Sequence, residues 1–271
     1  MKIKLLLGIV FAALVTLAGC QSTPHEMADD MGDMDTMDES MDDMDESTDD
    51  MDDMDTMDEP MDDMAMMDTE FLVTIEVLGG SPTPLAPVAW AVHEGPNPFV
   101  AGDMGKLAGL EALAEDGDPS AVAATLGGLM GVAAHGVANT PDGAMGPGPA
   151  TPGTSYSFTV KAHDGQRLSF ATMYVQSNDL FFSPGPDGIA LFDMEMAAHG
   201  TVTQSVWLYD AGTEKNERPG SGPNQAPRQS GPNTGMSENK PVAAIADAMD
   251  GFSYPAVASV IRVTIGTPGS M

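Results

Sequence analysis

Ser155-Tyr156-Ser157-Phe158-Thr159-Val160-Lys161-Ala162, His163-Asp164-Gly165-Gln166 and Arg167-Leu168-Ser169-Phe170-Ala171-Thr172-Met173-Tyr174-Val175 follow one another without a break. The outer two runs are rich in β-branched and aromatic residues, which suit a pleated, half-buried surface, and read as strands. The middle run carries Asp-Gly, whose readiness to adopt positive φ suits a tight turn, so the three together predict a β-hairpin. Working outward, residues 71–77 (Phe-Leu-Val-Thr-Ile-Glu-Val) alternate apolar and polar side chains with the period of a strand. Residues 88–92, 188–192, 202–209 and 257–265 read as further strands. Residues 106–113 and 120–132, rich in Ala and Leu, read as helices, with Asp118-Pro119-Ser120 as a start signal for the second. Residues 141–153 are a Pro/Gly connector, and residues 211–241 are a long polar loop of a length that is usually functional. Many strands with few helices predict an all-β fold over residues 71–271: an antiparallel β-sandwich with a short helical insertion.

Charge divides the chain unevenly. The formal net charge is −31, from 41 Asp and Glu against ten Lys and Arg. Nucleic-acid binding needs clustered Lys and Arg to neutralise phosphates, so that class of partner is excluded. A single cysteine excludes an internal disulfide framework and a Cys-based zinc site. Residues 26–70 hold 22 of the acidic residues and no Lys or Arg, in Met-Asp-Asp-Met and Met-Asp-Thr-Met units. Like charges at that density repel, and few apolar side chains other than Met are present to build a core, so residues 20–70 are expected to be a disordered linker.

The start of the chain reads as a targeting signal. Lys2 and Lys4 precede an apolar run over residues 5–17. That run is shorter than the ~20 residues a membrane span needs and matches the core of a secretory signal. It ends in Leu17-Ala18-Gly19-Cys20, which resembles a bacterial lipobox. The resemblance implies that residues 1–19 are a signal peptide and that Cys20 is acylated. Several acyl chains would then anchor the protein to a membrane without crossing it. Gln21 stands where an inner-membrane-retained lipoprotein usually shows Asp, so an outer-membrane lipoprotein is expected, on the periplasmic face or the cell surface. The recurrent Met-x-x-Met spacing, as in Met31-Met34-Met37 and Met51-Met54-Met57, is also suited to soft Cu(I). Copper handling by the tail is therefore the alternative reading.

No Gly-x-Ser-x-Gly elbow, P-loop or dinucleotide fingerprint is present, so the chain is not expected to be an enzyme. The five histidines are scattered and read as surface or turn residues. Glu115-Asp116-Gly117-Asp118 reads as a solvated turn or helix boundary. Asp210 and Glu214 flank an Ala-Gly-Thr turn at the end of a strand, and Asp179 is expected to end another. Carboxylates converging at one rim would make an oxygen-rich site of the kind that holds Ca²⁺. Arg228, in the long loop, is expected to pin that loop by pairing with a carboxylate.

The motifs Ser177-Asn178-Asp179-Leu180-Phe181 and Tyr209-Asp210-Ala211-Gly212-Thr213-Glu214 resemble those of the spondin N-terminal domain family. So do Thr74-Ile75-Glu76, Pro84-Leu85-Ala86-Pro87, Trp90-Ala91-Val92-His93, the stretch Gly109-Leu110-Glu111-Ala112-Leu113-Ala114-Glu115-Asp116-Gly117, and Gln225-Ala226-Pro227-Arg228-Gln229. The resemblance covers roughly residues 71–266. It implies an eight-stranded, C2-like sandwich with one Ca²⁺ held by Asp179, Asp210 and Glu214. It also implies a non-catalytic adhesion or binding module with a protein or glycan ligand. Asn178 stands where the family has Pro, and Glu214 where it has Asp.

Overall fold

The computed structural model describes residues 67–101 and 106–269. The expected signal peptide, Cys20 and nearly all of the Met/Asp-rich stretch lie outside the described residues. In chain order the strands and helices are β1 (Thr69–Val77), β2 (Val88–His93), α1 (Leu110–Asp116), α2 (Ser120–Leu126) and β3 (Val132–Ala138). Next come β4 (Ser155–Ala162), β5 (Arg167–Met173), β6 (Leu180–Pro184), β7 (Ile189–Ala190) and β8 (Phe192–Asp193). The last are β9 (Met196–Ala197), β10 (Gly200–Thr201), β11 (Val206–Asp210), β12 (Ala243–Ala244), α3 (Val257–Val260) and β13 (Ile261–Gly266).

The fold is an antiparallel β-sandwich with a short helical insertion. A four-stranded sheet runs β10-β13-β1-β4, and a seven-stranded sheet runs β12-β11-β6-β5-β2-β3 with β7 beside β5. In β1 the period-2 pattern puts Phe71, Val73, Ile75 and Val77 inward, all fully buried. The register pairs Val73 with Ile265, Ile75 with Val263 and Val77 with Ile261, so both strands present their apolar faces to one core. Phe170, Phe182, Leu168, Val88 and Tyr156 fill that core from the other side and from β4. Each such side chain contributes about 1.5–3 kcal/mol by leaving water.

The larger sheet is covered on both faces. Its outer face carries Ala89, Ala91, Ala171 and Phe181, against which α1 and α2 place Leu110, Leu113, Ala114, Val122 and Leu126. The small alanines let the helices approach closely. Burial on two faces explains why β6 is buried throughout instead of alternating. Helix α1 stops at Gly117, whose φ of 72° places it in the left-handed region. There Gly117 N–H donates to Leu113 O and Asp118 N–H to Ala112 O, closing the helix end.

Four expectations are corrected. The Asp164-Gly165 turn forms, with Gly165 at φ 89°, but it does not make a hairpin. β4 pairs with β1, and β5 pairs with β2, β6 and β7, so the turn carries the chain from one sheet to the other. The expected helix over 120–132 ends at Leu126, and Val132 begins β3, whose ladder to β2 overrides its Ala-rich sequence. Residues 257–260 are a short helix before β13, and residues 203–205 a 3₁₀ turn before β11.

Candidate metal centre

The rim is set by pairing between β6 and β11. Their register places Leu180 opposite Asp210, so the start of one strand lies beside the end of the other. Asp179, expected at the end of a strand, instead immediately precedes β6, and Asp210 closes β11. The two carboxylates therefore meet at one end of the large sheet, and Ala211 N–H donates to the Asp179 carbonyl.

The 210–214 turn then wraps round Asp179. Asp210 Oδ1 accepts from Gly212 N–H at 2.6 Å, an Asx turn, while Oδ2 accepts from Asn216 Nδ2 at 2.6 Å. Gly212 has φ 63°, and a Cβ there would sit 2.6 Å from Lys240 O, so the turn requires glycine. Asp179 is fully buried, and its Oδ2 accepts from Thr213 N–H (2.8 Å), the Thr213 hydroxyl (3.0 Å) and Glu214 N–H (3.0 Å). Its Oδ1 is buried with no hydrogen-bond partner. Glu214 thus contributes its backbone to Asp179. Its carboxylate turns the other way: Oε2 accepts from Asn178 Nδ2 (3.1 Å) and Oε1 from Gly235 N–H (2.6 Å).

A fourth carboxylate comes from the helical insertion. Glu115, near the end of α1, is only 2% exposed, and neither of its oxygens has a hydrogen-bond partner. The 115–118 stretch is a helix boundary, one of the two readings its sequence offers, but Glu115 is not solvated. The correction follows from packing: α1 buries Leu110, Leu113 and Ala114, and the residue after Ala114 falls beneath the 213–239 segment. Only a hydrophobic-face count extended by one position could have pointed to it.

Electrostatics sets these groups apart from ordinary surface acids. Burial, then the neighbouring Asp210 charge, pushes the Asp179 carboxyl well above the usual range, against the hydrogen bonds from Glu214 and Thr213 that pull it down. Burial also raises Asp210, and its bonds from Gly212 and Asn216 oppose the rise. Glu115 is pushed up to about 7, chiefly by burial; the Thr213 side chain beside it opposes the rise, and the charges of Glu214, Glu111 and Asp179 add to it. A buried carboxylate without a counter-charge costs several kcal/mol unless it takes a proton or a cation.

No protein-family model matches the chain, and neither does any curated protein.

Of the cations near the rim, Lys215 lines the cavity beside Asp210, and two others are engaged. Lys106 Nζ donates to Gly212 O at 2.7 Å, and Lys240 pairs with Glu238 at 2.6 Å. Two cavities flank the turn. One of about 530 Å³ opens beside Asp210, and one of about 230 Å³ lies beside Glu115 and Glu214. Among the described residues, no three His, Cys, Asp or Glu side chains are grouped so that they could hold a metal ion. Side-chain carboxylates would therefore need other oxygens, from backbone, amides or water, to complete a coordination shell.

Arg228 does tether the long loop, through amide oxygens and not carboxylates. Its guanidinium donates to Gln176 Oε1 (3.1 Å from both Nη atoms), to Gly222 O (2.8 Å) and to Gln225 Oε1. Of the histidines, His93 is not a surface residue. It is buried, with Nε2 2.8 Å from Ser169 Oγ and Nδ1 unpartnered, and burial lowers its pKa.

Proposed function

We propose that this chain is an envelope-anchored lipoprotein whose spondin-like sandwich binds one Ca²⁺ at the β6/β11 rim and serves as a non-catalytic adhesion or binding module. The observation that carries the ion is Asp179 Oδ1, a buried carboxylate oxygen with no donor, beside a second raised carboxylate at Asp210. The donor set there is entirely oxygen, which suits a hard cation. Asp179 and Asp210 would hold the ion. Glu214, whose carboxylate is bonded to Asn178 and Gly235, would join by re-aiming its longer side chain. A bound Ca²⁺ would supply a partner for the buried Asp179 oxygen and would fix the 210–214 turn as a rigid surface for a protein or glycan ligand. The membrane association rests on the Leu17-Ala18-Gly19-Cys20 motif.

Calorimetry of Ca²⁺ binding to wild type and Asp210→Ala tests the site. Wild type is expected to release or absorb heat and to melt at a higher temperature with Ca²⁺, and the variant to lose both responses. Identical heats and an unchanged melting temperature in both proteins would remove the calcium reading. A Cys20→Ser chain that still sediments with membranes would remove the lipid anchor. The Met-x-x-Met spacing supports the alternative, copper capture by the tail. A Cu(I) competition titration on a peptide of residues 21–70 separates the two, because affinity no better than that of free methionine would end it.

A further inference from the structure

The cavity on the far side of the 210–214 turn has the makings of a site of its own. Glu115 forms part of its wall, with Glu214, Glu111, Thr213, Ser237 and Lys106 also lining it. Three carboxylates against one ammonium leave the lining negative, and that ammonium is held on Gly212 O. Two of the carboxylates, Glu115 and Glu214, are buried. Glu115 is the one whose two oxygens accept no hydrogen bond of normal geometry, with the Thr213 side chain beside them. Burying such a group as an unpaired anion is unfavourable by several kcal/mol unless it takes a proton or a cation, and the adjoining cavity gives a cation room to reach it.

We propose that this cavity is a second cation site, in which Glu115 is the anchoring carboxylate and Glu214, across the cavity, the second, holding Ca²⁺ or a similar hard divalent ion. The neighbouring Thr213 and Ser237 hydroxyls are hard oxygen donors of the kind that such an ion accepts. A volume of about 230 Å³ accommodates an ion that keeps several waters, each occupying ~30 Å³ of liquid. The mixed origin of the lining, one helix and one loop, suits the flexible coordination of Ca²⁺ better than the strict octahedron of Mg²⁺. Glu214 links the two flanks: its N–H reaches Asp179 while its carboxylate lines this cavity. The proposal needs the Glu214 carboxylate to stay on this flank, where Asn178 and Gly235 hold it, and an ion at the rim would then be held by Asp179 and Asp210 without it.

The test is the number of Ca²⁺ ions retained per full-length chain, with thermal melts in Ca²⁺ and in chelator. The proteins are wild type, Glu115→Gln, Glu111→Lys, Asp210→Ala and the Glu115→Gln/Asp210→Ala double variant. The acidic N-terminal stretch is common to all five, so its loose binding cancels in the differences. Glu115→Gln should retain one ion fewer than wild type, melt no lower than wild type in chelator, and lose part of the gain that Ca²⁺ confers. Glu111→Lys, an exposed change at the rim, should weaken the same ion by about tenfold at low salt. Should Glu115→Gln fail to fold, Glu111→Lys decides alone. Asp210→Ala should lose a different ion, and the double variant both. Loss of an ion in Glu115→Gln with none lost in Asp210→Ala would sink the rim site and leave this one standing. An unchanged count and affinity in both Glu variants would overturn the second site. So would a wild type holding a single ion that Asp210→Ala and Glu115→Gln each abolish.

Discussion

The two ends of the large sheet are built on opposite terms. Where it faces β1 and β13, the core is built of apolar side chains and the Tyr156 phenol in it is satisfied: Tyr156 OH donates to Gly148 O at 2.6 Å and accepts from Ala150 N–H at 3.0 Å. At the rim where β6 starts and β11 stops, Asp179 and Glu115 are buried with three carboxylate oxygens unpartnered. The first region lowers the free energy of the fold by itself. The second raises it unless something positive arrives. A protein of marginal stability, about 5–15 kcal/mol, keeps such a region for a use beyond packing.

That contrast predicts which changes respond to ions. The largest effect should come from Phe170→Ala in the satisfied core. It should cost about 3–5 kcal/mol in denaturant titrations, equally in Ca²⁺ and in chelator. If Ca²⁺ restored part of that loss, the two regions would be coupled. Asp179→Asn is next. The amide keeps an oxygen for Thr213 and Glu214 while removing the charge, so in chelator at pH 8 it should stabilise the fold by about 1–3 kcal/mol and abolish the Ca²⁺-dependent gain.

The same region sets a pH dependence with a definite sign. Asp179 and Glu115 have folded pKa values above their unfolded ones, so between about pH 4 and 7 the folded state binds more protons. Their contribution to stability is therefore complete below that window and is lost as pH rises through it. In chelator the Asp179→Asn melt should show a shallower loss over this range than wild type. An equally steep profile would show that the rim carboxylates do not titrate abnormally.

Tyr156→Phe should cost about 1–2 kcal/mol by leaving Gly148 O without its donor and taking from Ala150 N–H one of its two acceptors, the other being Leu85 O, again without regard to Ca²⁺. The smallest effect belongs to His93. Its pKa is lowered by burial, so its contribution is present above the unfolded value and declines as pH falls through it. His93→Gln, which retains a polar contact for Ser169 but takes no proton, should flatten the acid limb of the stability profile. An unchanged limb would show that His93 titrates as freely in the folded chain as in the unfolded one.

Local pattern decided β1, β2 and β4 and located the helical insertion, because alternation and Ala/Leu content act over a few residues. It misjudged the 163–166 turn, since a hairpin and a sheet-to-sheet crossing use the same Asp-Gly geometry and differ only in what each strand finds as its neighbour. It offered no strand at β3, where Ala favours helix and Gly136 interrupts it, and where a strand forms because β2 offers its edge.

The candidate site divides along the same line. Composition and spacing alone marked Asp179, Asp210 and Glu214 as acids near strand ends, and excluded phosphate-binding and cysteine chemistry, because charge and residue type do not depend on folding. Only the β6/β11 register set Asp179 against the 210–214 turn, and only the packing of α1 beneath the 213–239 segment buried Glu115. Burial is a property of what covers a residue, and here the cover comes from about a hundred residues further along the chain.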